Sequence, residues 1–266
     1  MTAFRADAAQ SRLKQKRHRQ KGRTPMAEQA AAQAGSQTLS RGIRLLEILA
    51  NSDRSLSIAE LAAELAVHRS VAYRLLRTLE DHALITRDDA GLVALGAGLA
   101  ALSSGVARNL QQAALPELSE IADELGMTCL LAVMVDGGEA VTLVSAAPRQ
   151  SVAVVSYRPG HRHPLGRGGP GKAILLGMPE RSWPAEIEAG MSEQLRAELA
   201  QARLAGYASS HDEVVPTLTS IAVPLALAGQ PPASIAVIHV ALTHPEAEIA
   251  ERLQRGAQSV TRAYGA

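Results

Sequence analysis

The chain has 266 residues, 47% of them hydrophobic, enough for one large packed core or two modest ones. Its apolar runs, such as 130–135 and 235–240, are far shorter than the roughly 20 residues a membrane helix needs. The basic, polar N-terminus lacks the apolar centre of a signal peptide, so a soluble cytoplasmic protein is expected. A single cysteine, Cys129, excludes an internal disulfide and a thiolate cluster, and no metal or cofactor is expected. With one Trp and one Phe, the cores must be built from Leu, Val, Ile and Ala.

The net charge of +1 hides an asymmetry. Residues 1–25 hold eight of the 27 Lys/Arg and one of the 26 Asp/Glu, leaving 19 bases against 25 acids elsewhere. Residues 1–38 read as a basic disordered leader that adds salt-sensitive, sequence-independent attraction to phosphates. The alternatives are a merely solvated leader, or a natural start at Met26.

A helical block follows over 39–95. Leu39, Ile43, Leu46 and Leu49 recur at helical spacing, with Ser40 as cap. Ser57 and Glu60 form a capping-box pattern ahead of Leu61, Leu65 and Val67, which starts a short second helix. The third, about 69–82, separates two faces. At about 100° per residue, Arg69, Ser70, Tyr73, Arg74 and Arg77 fall within about 140°, opposite Val71, Ala72, Leu75, Leu76 and Leu79. One face suits a core; the other carries the donors that reach phosphates and guanine edges, without the acids an ordinary solvated face mixes in.

Next, 84–86 and 92–95 flank Arg87-Asp88-Asp89-Ala90-Gly91, a hairpin with turn-forming residues at its tip. Three helices and a hairpin give the order of a winged helix-turn-helix, whose partner is double-stranded DNA. Arg87 is then placed to touch backbone or minor groove. The competing reading is a helical protein-interaction module.

Residues 96–115 read as a connector helix with Leu99, Leu102, Val106 and Leu110 on one stripe, joining domains and contributing to a homodimer or homotetramer interface, or as a mere linker. From 116 to 266 the pattern is mixed. Pro116 opens a helix to Gly126, and strands are predicted at 128–135, 140–145, 151–157, 220–227 and 233–240. Helices are predicted around 173–176, 192–205 and 245–264. Helices on an antiparallel sheet make this an α+β domain.

From about Leu39 onward the chain resembles an IclR-type transcriptional regulator. Three segments carry the resemblance: 57–62 with 73–79; Pro164-Leu165 with Gly171-Lys172-Ala173; and Gly206-Tyr207, Glu213 and 220–224. The resemblance implies a GAF-like effector domain for a small organic or aromatic acid, and expected repression. By position it makes Gly169, Pro170, Ser210, Ser220, Val237 and His239 the effector-lining residues. The loop departs from the family pattern at 166–170, and Val237 stands where a polar contact is common.

Other features are weighed against plainer readings. Ala173 after Lys172 breaks the nucleotide-loop pattern. His161 and His163 read as an exposed basic loop ahead of an anion site or a metal site. Cys129 reads as a core residue rather than a redox sensor, and His239 as a core histidine or a ligand contact. Two other functions stay open. An enzyme lacks a recognised nucleophile motif around Ser210, His211, Ser220 and His239. An architectural DNA-binding protein would show no ligand response.

Overall fold

In a computed structural model, residues 36–135, 138–150, 155, 157–240 and 244–265 are described, and the backbone separates between Val106 and Ala107 into two compact units. The leader to residue 35, the turn residues Asp136 and Gly137, and most of the predicted strand 151–157 lie outside the described residues.

The first unit runs α1 (Gln37–Ala50), α2 (Ile58–Glu64), α3 (Arg69–Asp81), β1 (Ile85–Arg87), β2 (Val93–Leu95) and α4 (Gly98–Ser103). A helix start leaves unpaired N–H groups, and each of the first three helices meets one with a side chain. Ser36 accepts from Leu39 N, Ser57 from Glu60 N, and His68 from Ser70 N. Glu60 accepts in return from Ser57 N at 2.8 Å, completing the predicted capping box. Ser36 rather than Ser40 caps α1, so the helix begins ahead of the predicted boundary. Its inward stripe is Gly42, Leu45 and Leu49; Leu39 and Ile43, expected inside, stand 64% and 50% exposed. Leu45 and Leu49 pack with Leu61, Leu75, Leu76, Ile85 and Val93.

The hairpin pairs Ile85 with Leu95 and Arg87 with Val93, and Leu56 bridges to Val93 from the far side. Asp88 holds the tip by accepting from Ala90 N at 3.0 Å and Leu92 N at 2.8 Å. A single connector helix over 96–115 is not what forms. Short α4 ends in a turn with Ala107 left-handed at φ 43, and α5 (Arg108–Leu125) begins there, with Pro116 inside it rather than at its start. Leu110, Ala114, Leu118 and Ile121 make one buried stripe across the proline. Packing along that stripe outweighs the one helical hydrogen bond that proline removes.

After α5, the second unit continues through β3 (Thr128–Val135), β4 (Glu139–Ala146), β5 (Arg162–Pro164) and α6 (Gly168–Leu176). It ends with α7 (Ala185–Ala189), α8 (Glu193–Ala205), β6 (Ala208–His211), β7 (Thr219–Leu225), β8 (Ala233–His239) and α9 (Glu246–Gly265). The six strands form one antiparallel sheet in the order β5-β4-β3-β8-β7-β6, as an α+β domain requires. Helices cover both faces. Ile221, Val223, Ile235 and Val237 pack toward α5 and α9. Leu130, Ala222, Ala236 and Ile238 pack toward α6 and α8. Arg252 of α9 is held between Glu117, at 2.7 Å, and Glu124 of α5. Among the described residues no helix is long and apolar enough to cross a membrane.

Candidate DNA interface and effector pocket

The outer face of α3 is assembled as its periodicity predicts. Arg69, Ser70, Tyr73, Arg74 and Arg77 are all exposed, while Ala72, Leu75 and Leu76 are buried. His68 extends this face. It caps α3 through Nδ1, which also lies 2.9 Å from Ser70 Oγ, and so is held at the helix N-terminus, where backbone N–H groups favour an anion. Its place just before a predicted helix was the signal for that role.

Arg87, expected to touch the DNA backbone or minor groove, makes intramolecular contacts in this structure. Its guanidinium turns back onto α3, 3.1 Å from Glu80 and 5.3 Å from the Tyr73 ring centroid, and its side chain is 17% exposed. The geometry is local: β1 ends at Arg87, and the cation reaches back to Glu80 and the Tyr73 ring on the helix behind, with Nε buried and unpaired among the described residues. Arg87 thus lies against the exposed Tyr73 ring in this structure.

In the second unit, Gly169 and Pro170 sit in the first turn of α6, pressed against the sheet. Gly169 N donates to Ser220 Oγ at 2.9 Å and to Ser210 Oγ at 3.1 Å, and the two hydroxyls are 2.8 Å apart. A Cβ on Gly169 would stand 2.7 Å from Ser220 Oγ, so only glycine permits this approach. Ser234 on β8 donates to Pro170 O at 2.9 Å. Beside these groups lies a cavity of about 20 Å³, room for about one water, walled by Tyr157, His163, Val214, Leu218 and Ile238.

Four of the six expected pocket residues, Gly169, Pro170, Ser210 and Ser220, therefore meet in one place. Val237 and His239 do not. Side chains alternate along a strand, and Val237 packs toward α5 and α9, with His239 on the same side. The pocket-facing set on β8 is Ser234, Ala236 and Ile238, one residue out of step with the expectation. His163, expected in an exposed loop, is 2% exposed on β5 and lines the cavity. Burial, together with the nearby His161 charge, pushes its pKa down to about 4, so the ring is neutral at pH 7.

Lys172 is not free to hold a phosphate. Its side chain, 3% exposed, lies 2.5 Å from both Glu198 and Glu213. Glu213 also accepts from Gly168 N at 2.9 Å, which places a carboxylate of the protein itself at the start of α6. Cys129 is buried and its thiol is pushed up by that burial, which fits a core residue.

A winged helix-turn-helix with an arginine-bearing recognition helix, joined to a helix-covered sheet with a small pocket beside paired serines, defines a DNA-binding transcription regulator. More specifically, the chain belongs to the IclR family. The IclR helix-turn-helix domain matches residues 38–89, and the bacterial transcriptional regulator IclR C-terminal domain matches residues 103–262. Transcriptional repressor IclR of Escherichia coli strain K12 is 28% identical over 207 residues, 73% of this chain and 76% of the relative. The HTH-type transcriptional repressor AllR of Klebsiella pneumoniae is 29% identical over 218 residues, 77% and 79% of the two chains. Among solved structures, an IclR transcriptional regulator from Alicyclobacillus acidocaldarius superposes with TM-score 0.77 at 23% identity, covering 87% of this chain and 100% of its own. An IclR homolog complexed with 4-hydroxybenzoate, from Microbacterium hydrocarbonoxydans, gives 0.70 at 24% identity, covering 86% and 99%. These two show that the fold is shared.

Proposed function

We propose that this regulator represses transcription in the cytoplasm by binding double-stranded DNA, and that a small organic acid in the pocket beside Gly169 modulates that binding. The carrying observation is the cradle itself: a helix-start N–H and two serine hydroxyls converge on a cavity inside an otherwise apolar core. The repressors named above and the hydroxybenzoate-bound homolog support the reading. Catalysis is disfavoured because Ser210 and Ser220 bond to each other and to Gly169 N, while His211 pairs with Thr219 at 2.8 Å instead of with either serine.

A panel of organic acids is screened by thermal shift on the full chain, and hits are added to a gel-shift with promoter DNA. A true effector at a hundredfold excess over its Kd stabilises by about 2.7 kcal/mol and changes operator affinity. Ser220→Ala should abolish the change while leaving ligand-free DNA binding within a few-fold of wild type. A panel without any stabilising acid, or a response that survives Ser220→Ala, overturns the reading. Leu39 and Ile43 on α1 and Leu102 on α4, 50–66% exposed, support a homodimer or homotetramer built through this unit. Light scattering of Leu39→Glu/Ile43→Glu, expected to report a smaller assembly, tests it.

A further inference from the structure

His163 lines the cavity, and its two buried ring nitrogens are answered by no described residue. The residue is 98% removed from solvent, and neither ring nitrogen has a hydrogen-bond partner among the described residues. Its near neighbours are rings: Tyr157 edge-on at 6.4 Å and His161 stacked at 6.4 Å. Thr142 Oγ1, on the residue two beyond the Ala140 that pairs with His163, is also buried without a partner among the described residues. Buried polar groups in folded proteins are almost always paired, because an unpaired one carries its full desolvation penalty. A neutral imidazole has one donor and one acceptor nitrogen, so a hydroxyl, which both donates and accepts, answers it in either tautomer.

The serine cradle makes a complementary demand. Gly169 N–H is shared between the two oxygens, and one hydroxyl proton lies between them, which leaves one serine proton to donate outward. The cradle thus offers a donor to an acceptor oxygen, and the cavity it shares with His163 is lined by Val214, Leu218 and Ile238 together with Tyr157 and Thr219.

We propose that His163 is the specificity-determining residue of this pocket and selects a hydroxylated organic acid: an acid oxygen takes the free serine proton, and the ligand hydroxyl sits on the His163 ring. The inference rests on the reading of this pocket as the effector site. It adds a chemical class, because the same acid lacking its hydroxyl leaves the imidazole buried and unpaired in the complex. A site built to pair a hydroxyl discriminates against the analogue without one far more strongly than an apolar site discriminates a methylene.

Calorimetry on the full chain compares matched probes: 4-hydroxybenzoate against benzoate, and 4-hydroxybutyrate against butyrate. In at least one pair the hydroxylated member should bind about tenfold tighter or more. In His163→Leu, which keeps the volume and removes the nitrogens, the ratio should fall to about threefold or less; His163→Asn, which keeps a donor and an acceptor, should retain part of it. The wild-type ratio decides even where a variant folds poorly. Equal binding within both pairs, a preference that persists in His163→Leu, or no binding of any probe at millimolar concentration overturns the proposal. Failure of the effector reading looks different: whichever acid binds would then bind Ser220→Ala as well as wild type.

Discussion

Replacing Arg87 by Met separates two roles for the same side chain. The guanidinium lies 5.3 Å from the Tyr73 centroid and 3.1 Å from Glu80, and Met keeps the aliphatic stem. The cation–π contact is worth about 0.5–1 kcal/mol at an exposed ring. The half-exposed ion pair contributes about 0–1 kcal/mol. Unfolding stability should therefore fall by about 0.5–2 kcal/mol. DNA affinity should fall because Tyr73, 51% exposed on the recognition face, loses its support. Fluorescence anisotropy between 50 and 200 mM salt distinguishes positioning from contact. A lost phosphate contact lowers the magnitude of the log K against log salt slope by about 0.9, whereas a lost positioning contact leaves it unchanged. A double-mutant cycle with Tyr73→Ala should give a coupling of about 0.5–1 kcal/mol in DNA binding. A slope reduced by about one, with no coupling to Tyr73, refutes the positioning role and returns Arg87 to the DNA backbone.

Deleting residues 1–25, which carry eight Lys/Arg, should weaken non-specific DNA binding and flatten its salt dependence while sequence preference survives, as read by competition gel-shifts. Lys172→Met leaves Glu198 and Glu213 without their shared cation and should cost roughly 3–5 kcal/mol in urea denaturation, partly recovered by adding Glu213→Gln. His163 has a folded pKa of about 4 against 6.5 in the unfolded chain, so between those values the unfolded state binds more protons. Its contribution is complete above pH 6.5 and is lost as pH falls toward 4, about 3 kcal/mol over that window, and His163→Leu should remove that part of the pH dependence of unfolding.

The recognition helix was legible because one face of α3 is buried and the other wet, so a period near 3.6 is written into the residue types. Strand β8 carries no such record. Helices cover both of its faces, and Ile235, Ala236, Val237 and Ile238 are all buried, so alternation between apolar and polar vanishes and a slip of one residue goes unseen. His163 was hidden for another reason. It sits in a three-residue strand among Arg158, Arg162 and Arg167, and local composition reports those exposed cations rather than the one ring turned inward. The glycines opening α6 read as a loop because glycine disfavours helix. They are there for closeness: a Cβ on Gly171 would lie 2.6 Å from Pro164 O, as one on Gly169 would crowd Ser220. Proline inside α5 misled in the opposite sense, since a breaker of isolated helices is tolerated where a buried stripe continues through it.

The size of the cavity constrains how any effector acts. About 20 Å³ accepts roughly one water, so a ligand the size of an organic acid has to displace wall atoms before the serines and His163 can reach it. One wall is the segment between β6 and β7, which contributes Val214, Val215 and Leu218. Asp212 and Thr217 bracket most of it in left-handed conformations, at φ 60 and 68. Glu213 pins this segment to α6 through Gly168 N and Lys172, and Arg167 donates to its backbone carbonyl. Opening it exposes apolar side chains and disturbs a buried ion pair, and both costs subtract from the ligand's gross interaction energy. Observed affinity therefore depends on two sets of residues: those that answer the ligand's polar atoms, and those that hold the wall shut without touching it. A ligand shifts a protein only by its differential affinity for two forms, so where this segment has to open, the Glu213–Lys172 ion pair adds to what an effector has to exceed.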